Sequence, residues 1–146
     1  MSGSTPITGQ CLCGAIRLRA IRRSADVQAC HCAQCQTWTG GGPFLAIRVD
    51  DVQIEGEEAI GTYRASASGE RGFCNICGTT LYWRMQGRPI DSLAVSLIAD
   101  QSPYHITEEI FVDHRPQWLP PWPEASQSTE AEEVAKLNAT LEGDAS

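Results

Sequence analysis

A chain of 146 residues, 42% hydrophobic and 20% charged, has enough length for one buried core and little for a second, so one globular core is expected. The formal charge is −7, and the 11 basic residues are ten arginines and Lys136. No lysine run is present to track a phosphate backbone, and nucleic-acid binding is not expected. Apolar runs such as Phe44–Ile47 and Leu93–Ile98 fall far short of the ~20 residues of a membrane span. Met1–Pro6 shows neither a basic region nor a following apolar segment, so no secretory signal is read and the cytoplasm is the expected compartment.

In chain order, Ile16 and Leu18 alternate with Arg17 and Arg19, the period of a half-buried strand. Further β-prone runs lie at Phe44–Val49, Val52–Ile54, Thr62–Arg64, Thr80–Arg84, Leu93–Leu97 and Ile110–Val112. Gly40-Gly41-Gly42-Pro43, Gly56, Gly61, Gly69, Gly72 and Gly87–Pro89 are read as turn residues between them. Tyr104–Glu109 is read as a helical turn, and no long helix is expected before the tail. The fold class is therefore mainly β, with loop-rich antiparallel sheets.

Pro120-Pro121-Trp122-Pro123 continues neither a helix nor a central strand and reads as a boundary. It separates a β domain, residues 1–123, from an acidic tail, residues 124–146, in which six acidic residues face Lys136. Thr129 and Glu132 make a capping box there, followed by Val134, Leu137 and Leu141 on one helical face. One short C-terminal helix is expected.

Seven cysteines, an odd count in a chain expected to be reduced, point to metal ligation before disulfides. Gly9-Gln10-Cys11-Leu12-Cys13-Gly14 is echoed by Gly72-Phe73-Cys74-Asn75-Ile76-Cys77-Gly78, each followed by a β-prone run. Two such knuckles supply the four thiolates of a closed, structural zinc site. Ala29-Cys30-His31-Cys32-Ala33-Gln34-Cys35 delivers three more thiolates, the protein share of an open zinc site whose fourth position takes water or substrate. His31 is a further candidate ligand, although alternation on an extended segment turns it away from Cys30 and Cys32. A rival partition stays open, in which Cys32, Cys35, Cys74 and Cys77 form a zinc ribbon.

The succession Cys-x-Cys-Gly, Cys-His-Cys-x-x-Cys, Gly-Phe-Cys-x-x-Cys-Gly-x-x-Leu and a late Val-Asp-x-x-x-x-Trp resembles the glutathione-dependent formaldehyde-activating enzyme family, which shares its domain with centromere protein V. The resemblance runs from Gly9 to about Trp118. It implies a β-tent fold with a structural zinc on Cys11, Cys13, Cys74 and Cys77 and a catalytic zinc on Cys30, Cys32 and Cys35, two Zn²⁺ per chain. It also implies a carbon–sulfur lyase acting on a thiol–aldehyde adduct of the S-(hydroxymethyl)glutathione kind. The competing class is a zinc-stabilised binding module without chemistry.

Three thiolates suit an incoming sulfur: a soft site with one vacancy lowers a substrate thiol's pKa and holds it as a nucleophile. The expected partner is thus a small thiol or its aldehyde adduct. Arg48, Arg71 and Arg115 are candidates for binding substrate carboxylates, in which case anionic thiols should bind best. His105 and His114 are candidate proton carriers. Trp38 and Trp118 could line a pocket, while Trp83 is expected to pack in the core.

Overall fold

The computed structural model describes residues 4–145. The chain divides into two compact units, Met1–Val27 with Leu45–His105, and Gln28–Phe44 with Ile106–Ser146.

The first unit is a sheet built from β1 (Thr5–Gln10), β2 (Arg17–Cys30), β3 (Phe44–Glu55), β4 (Ile60–Tyr63), β5 (Gly69–Cys74), β6 (Thr80–Met85) and β7 (Ser92–Ala94). Its strand order is β4-β5-β6-β7-β3-β2, with β1 also paired to β2. The apolar members of the alternating pattern face inward: Ile16, Leu18 and Ala20 are buried beside Ile47, Val49, Leu81 and Leu93, while Arg17 and Arg19 face solvent. On β2 the buried phase slips by one residue between Arg22 and Ala25, the irregularity expected where a long strand changes its twist.

Several boundaries differ from the sequence reading. Phe44–Val49 and Val52–Ile54 belong to one strand, and Leu93–Leu97 is a short strand followed by a 3-10 turn at Val95–Leu97. β1 was not expected. Gly69 and Gly72 lie inside β5 rather than in turns. A Cβ on Gly72 would stand 2.2 Å from the Tyr82 ring, and one on Gly61 2.6 Å from the Phe73 ring. These strand glycines are sites of close aromatic approach.

The second unit holds the end of β2, helix α1 (Ala33–Thr39), β8 (His105–Ile110), β9 (Ser126–Ser128) and helix α2 (Glu130–Ala145). Tyr104–Glu109 is thus mostly strand, not a helical turn. β8 and β9 pair in parallel, against the antiparallel expectation, because a 3-10 turn at Val112–His114 and the proline-rich segment give the chain room to return in the same direction. The tail helix begins where the capping box places it: Thr129 N–H donates to Glu132 Oε1 (3.0 Å), and Glu132 N–H to Thr129 Oγ1 (3.3 Å). Among the described residues no helix is long and apolar enough to cross a membrane.

Candidate metal centres

All seven cysteines are free of disulfides. In the first unit the ligand atoms of Cys11, Cys13, Cys74 and Cys77 all lie within 4.8 Å of one another. Cys11 Sγ and Cys13 Sγ are 3.6 Å apart, and Cys13 Sγ and Cys74 Sγ 3.8 Å. Four sulfurs at zinc–thiolate distance from a common tetrahedral centre stand about 3.8 Å apart, so this donor set fits zinc in both chemistry and spacing.

The two knuckles reach this geometry in the same way despite their different spacing. Cys11 N–H donates to Ile16 O (3.1 Å) and Cys74 N–H to Thr79 O (2.9 Å), each five residues on. Gly14 and Gly78 follow the second cysteine at φ +78° and +79°, a left-handed conformation in which glycine meets no Cβ penalty. Backbone N–H groups then face the sulfurs: Ile16 N–H points at Cys11 Sγ (3.4 Å) and Cys77 N–H at Cys74 Sγ (3.4 Å).

The electrostatics of four crowded thiols are uneven. The Thr79 hydroxyl, 3.1 Å from Cys77 Sγ, pulls that thiol down to about 5. At Cys11, burial opposes ionisation, but the Ile16 N–H and the neighbouring thiols hold the pKa below its ordinary value. Cys13 behaves oppositely: the Ala15 N–H favours its thiolate, yet burial and the adjacent thiols outweigh it and push the pKa up to about 11. Like charges this close resist simultaneous ionisation, and a divalent cation removes that conflict.

In the second unit Cys30, Cys32 and Cys35 also bring their sulfurs within 4.8 Å of one another. Cys30 ends β2 and Cys32 caps α1, its Sγ accepting the Cys35 N–H at 3.2 Å. Cys30 is pushed up because its thiol donates to Cys32 and Cys35, with burial adding to the effect. Cys35 is buried while Cys30 and Cys32 are half-buried. Ala33–Thr39 carries no helical periodicity, yet it forms α1, and the segment is not simply extended as expected. His31 nevertheless points elsewhere: its Nε2–H donates to Glu109 Oε1 at 2.8 Å, and no atom of its ring joins the three sulfurs. The three-cysteine set fits a soft divalent cation with one protein position unfilled. The 4 + 3 partition, rather than the zinc ribbon, is therefore the one in which the side chains converge.

The other candidates sort by place. Arg48 is 3.7 Å from Asp91, and Arg71 is buried in β5. Arg115 reaches Glu109 (3.4 Å) and Gln127 (3.2 Å). His105 is exposed, 4.0 Å from Asp26. His114 lies within electrostatic reach of Cys32, and its hydrogen bond to Glu130 Oε2 (3.1 Å) raises its pKa above the ordinary histidine value. Trp38 packs against Phe44 with ring centroids 5.0 Å apart, Trp118 is exposed, and Trp83 is half-buried over Gly69. Sequence reasoning missed Glu109, Gln36 and Thr79. Formal charge is uneven as well: the second unit carries nine acidic residues against Arg115 and Lys136, whereas nine acidic residues and nine arginines cancel in the first.

A mainly β chain with one cluster of four thiols and another of three defines a class of small cysteine-rich protein with two candidate metal sites. The family model for glutathione-dependent formaldehyde-activating enzymes matches residues 6–114, and the chain belongs to that family. An uncharacterized lyase of Schizosaccharomyces pombe is 41% identical over 76 residues, 51% of this chain and 55% of that protein, so the match spans about half of the relative. A Halomonas elongata protein, named provisionally as a glutathione-dependent formaldehyde-activating enzyme, is 26% identical over 127 residues, 77% of this chain and 79% of its own. A Rhodobacter sphaeroides crystal structure aligns with a TM-score of 0.53 at 21% identity, covering 64% of this chain and 88% of that one, a likeness of fold.

Proposed function

We propose that the chain is a carbon–sulfur lyase acting on the adduct of a small thiol and an aldehyde, of the S-(hydroxymethyl)glutathione kind. Cys11, Cys13, Cys74 and Cys77 would hold a structural zinc, and Cys30, Cys32 and Cys35 a catalytic one. The observation that supports this reading is the difference between the clusters: no fourth Cys, His, Asp or Glu atom joins the second within the same reach among the described residues. Zinc bound there would supply a soft Lewis acid with a vacancy for a thiol sulfur, lowering that thiol's pKa. Family membership and the relatives' names support the reaction class.

In the synthetic direction the thiol sulfur attacks the aldehyde carbon, a C–S bond forms, and the proton lost by sulfur ends on the new hydroxyl. In the lyase direction that hydroxyl gives up its proton, the C–S bond breaks and its electron pair returns to sulfur. His114, in the same unit as the three cysteines, is the candidate proton carrier. Half-buried Cys30 and Cys32 leave the cluster reachable, while buried Cys35 anchors it to α1.

The test has two parts. Elemental analysis in reducing buffer should find two zinc ions per chain, the one on the three-cysteine cluster being lost first on dialysis against chelator. Adding glutathione or another small thiol to cobalt-substituted protein should strengthen the sulfur-to-cobalt charge-transfer band, and the thiol–aldehyde adduct should be consumed. No response to any thiol together with no turnover overturns the reading; a single tightly held zinc would instead assign a zinc-stabilised binding module.

A further inference from the structure

We propose that Glu109, acting through His31, is a positioning residue for the three-cysteine turn, and that the segment beyond the family-matched region holds Glu109 in place. The inference rests on the reading that Cys30, Cys32 and Cys35 hold a metal.

Glu109 is 2% exposed, a placement that is costly for a carboxylate unless donors surround it. Four do so. Oε1 accepts from His31 Nε2–H at 2.8 Å. Oε2 accepts from Trp122 N–H (2.9 Å), Gln127 Nε2 (3.0 Å) and Arg115 Nη2 (3.4 Å). The last three residues follow residue 114, where the family match ends. One carboxylate thus joins the cysteine turn on one side to residues 115–127 on the other.

The other end of the link is equally constrained. His31 is 1% exposed, and its Nδ1 has no hydrogen-bond partner among the described residues. An apolar side chain of similar size would remove that atom but strip buried Glu109 Oε1 of its donor, and an unsatisfied buried polar group costs about 1–3 kcal/mol, more when it is charged. What histidine adds is the bond to Glu109, and it adds it between two candidate ligands. The main chain repeats the tie: His31 N–H donates to Ile110 O (3.0 Å), and Gln36 Nε2 reaches both His31 O (2.7 Å) and His114 O (2.8 Å). The angle at which Cys30 and Cys32 present their sulfurs is therefore set by β8 and by what packs on Glu109. Three ligands without a closing fourth depend on such outside support more than four do.

The full-length protein, loaded with cobalt at both centres, provides the test, because the four-cysteine centre acts as an internal control. In Glu109→Gln and His31→Gln, cobalt affinity at the three-cysteine centre should fall about 10–100-fold and its charge-transfer bands should shift, with the other centre unchanged. Glu109→Asp should restore part of the affinity. Gln127→Leu and Trp122→Pro, which delete donors to Glu109, should act in the same direction but more weakly; no effect from either overturns the role of the distal segment. Unchanged affinity and spectra in Glu109→Gln, or an equal loss at both centres, overturns the positioning role. Alkylation of the metal-free thiols, located by mass spectrometry, keeps the two readings apart: selective acceleration at Cys30, Cys32 and Cys35 in the variants supports positioning even if the wild type binds one cobalt, a result that would overturn the functional reading alone.

Discussion

The Thr79 hydroxyl stands 3.1 Å from Cys77 Sγ and also receives the Leu12 N–H at 3.1 Å. It donates to the second knuckle and accepts from the first, so one side chain registers the two halves of the four-thiol centre. Thr79→Val removes both bonds while keeping the shape. Cys77 owes its depressed pKa, about 5 against 9.0, chiefly to this hydroxyl. A depressed pKa stabilises the folded state above the unfolded value, and the contribution is lost as pH falls through the folded one, here between about 9 and about 5. In metal-free Thr79→Val the pH midpoint of Cys77 alkylation should move up toward 9; an unmoved midpoint would show that the hydroxyl does not set it.

Cysteine replacements should separate the two centres. A structural zinc site contributes about 10–16 kcal/mol of binding free energy to folding, comparable with the ~5–15 kcal/mol stability of a whole domain. Cys74→Ala should therefore leave the chain largely unfolded by circular dichroism. Cys35→Ala, which removes one buried atom, should cost only about 1 kcal/mol and leave a folded protein without lyase activity. Equal melting temperatures for Cys74→Ala and the wild type would remove Cys74 from any structural site.

His114 and Glu130 join the 3-10 turn after β8 to the first residue of α2, and Asp113 Oδ1 accepts the Glu130 N–H at 3.0 Å. Hydrogen bonding to Glu130 raises the His114 pKa above 6.5. A raised pKa stabilises fully below the unfolded value and fades as pH rises through the folded one. Amide exchange in the first turn of α2, corrected for intrinsic rate, should accelerate as pH climbs past the raised value, and His114→Gln should abolish that dependence. The capping box should keep the helix itself formed.

Gly56 has φ +88°, and a Cβ there would stand 2.0 Å from the Ala15 carbonyl oxygen. Neither the backbone conformation nor the fixed obstacle can yield cheaply. Gly56→Ala should destabilise by about 3 kcal/mol or more, read as a fall in urea midpoint. The same substitution at Gly41, where nothing lies within 4 Å despite φ +118°, should cost less.

What the sequence disclosed and what it hid divide by range of interaction. Cysteine spacings are local, and the echo of Cys11-Leu12-Cys13-Gly14 in Cys74-Asn75-Ile76-Cys77-Gly78 could be read directly, as could the Thr129–Glu132 box. Helix α1 was hidden because Ala33–Thr39 has no apolar stripe; its start is set by the Cys32 sulfur accepting a backbone N–H. Glu109 was hidden more deeply. Adjacent Glu108 and Glu109 look like a solvated pair, and only donors far along the chain make one of them a buried acceptor. Thr79 left a faint signal, a hydroxyl residue directly after Cys77-Gly78.

The whole formal charge of −7 resides in the unit that carries the three-cysteine cluster. A field of that sign gathers divalent cations and retards anions over about one Debye length, ~8 Å at physiological salt. Arg115, the single arginine of that unit, is occupied by Glu109 and Gln127, so the expectation that anionic thiols bind best loses its local support. Zinc uptake by this centre should slow as salt is added, whereas association of glutathione should quicken. Cysteamine, a cationic thiol, should associate faster than glutathione at low salt and lose that lead at high salt, so that thiol preference becomes a function of the ionic medium.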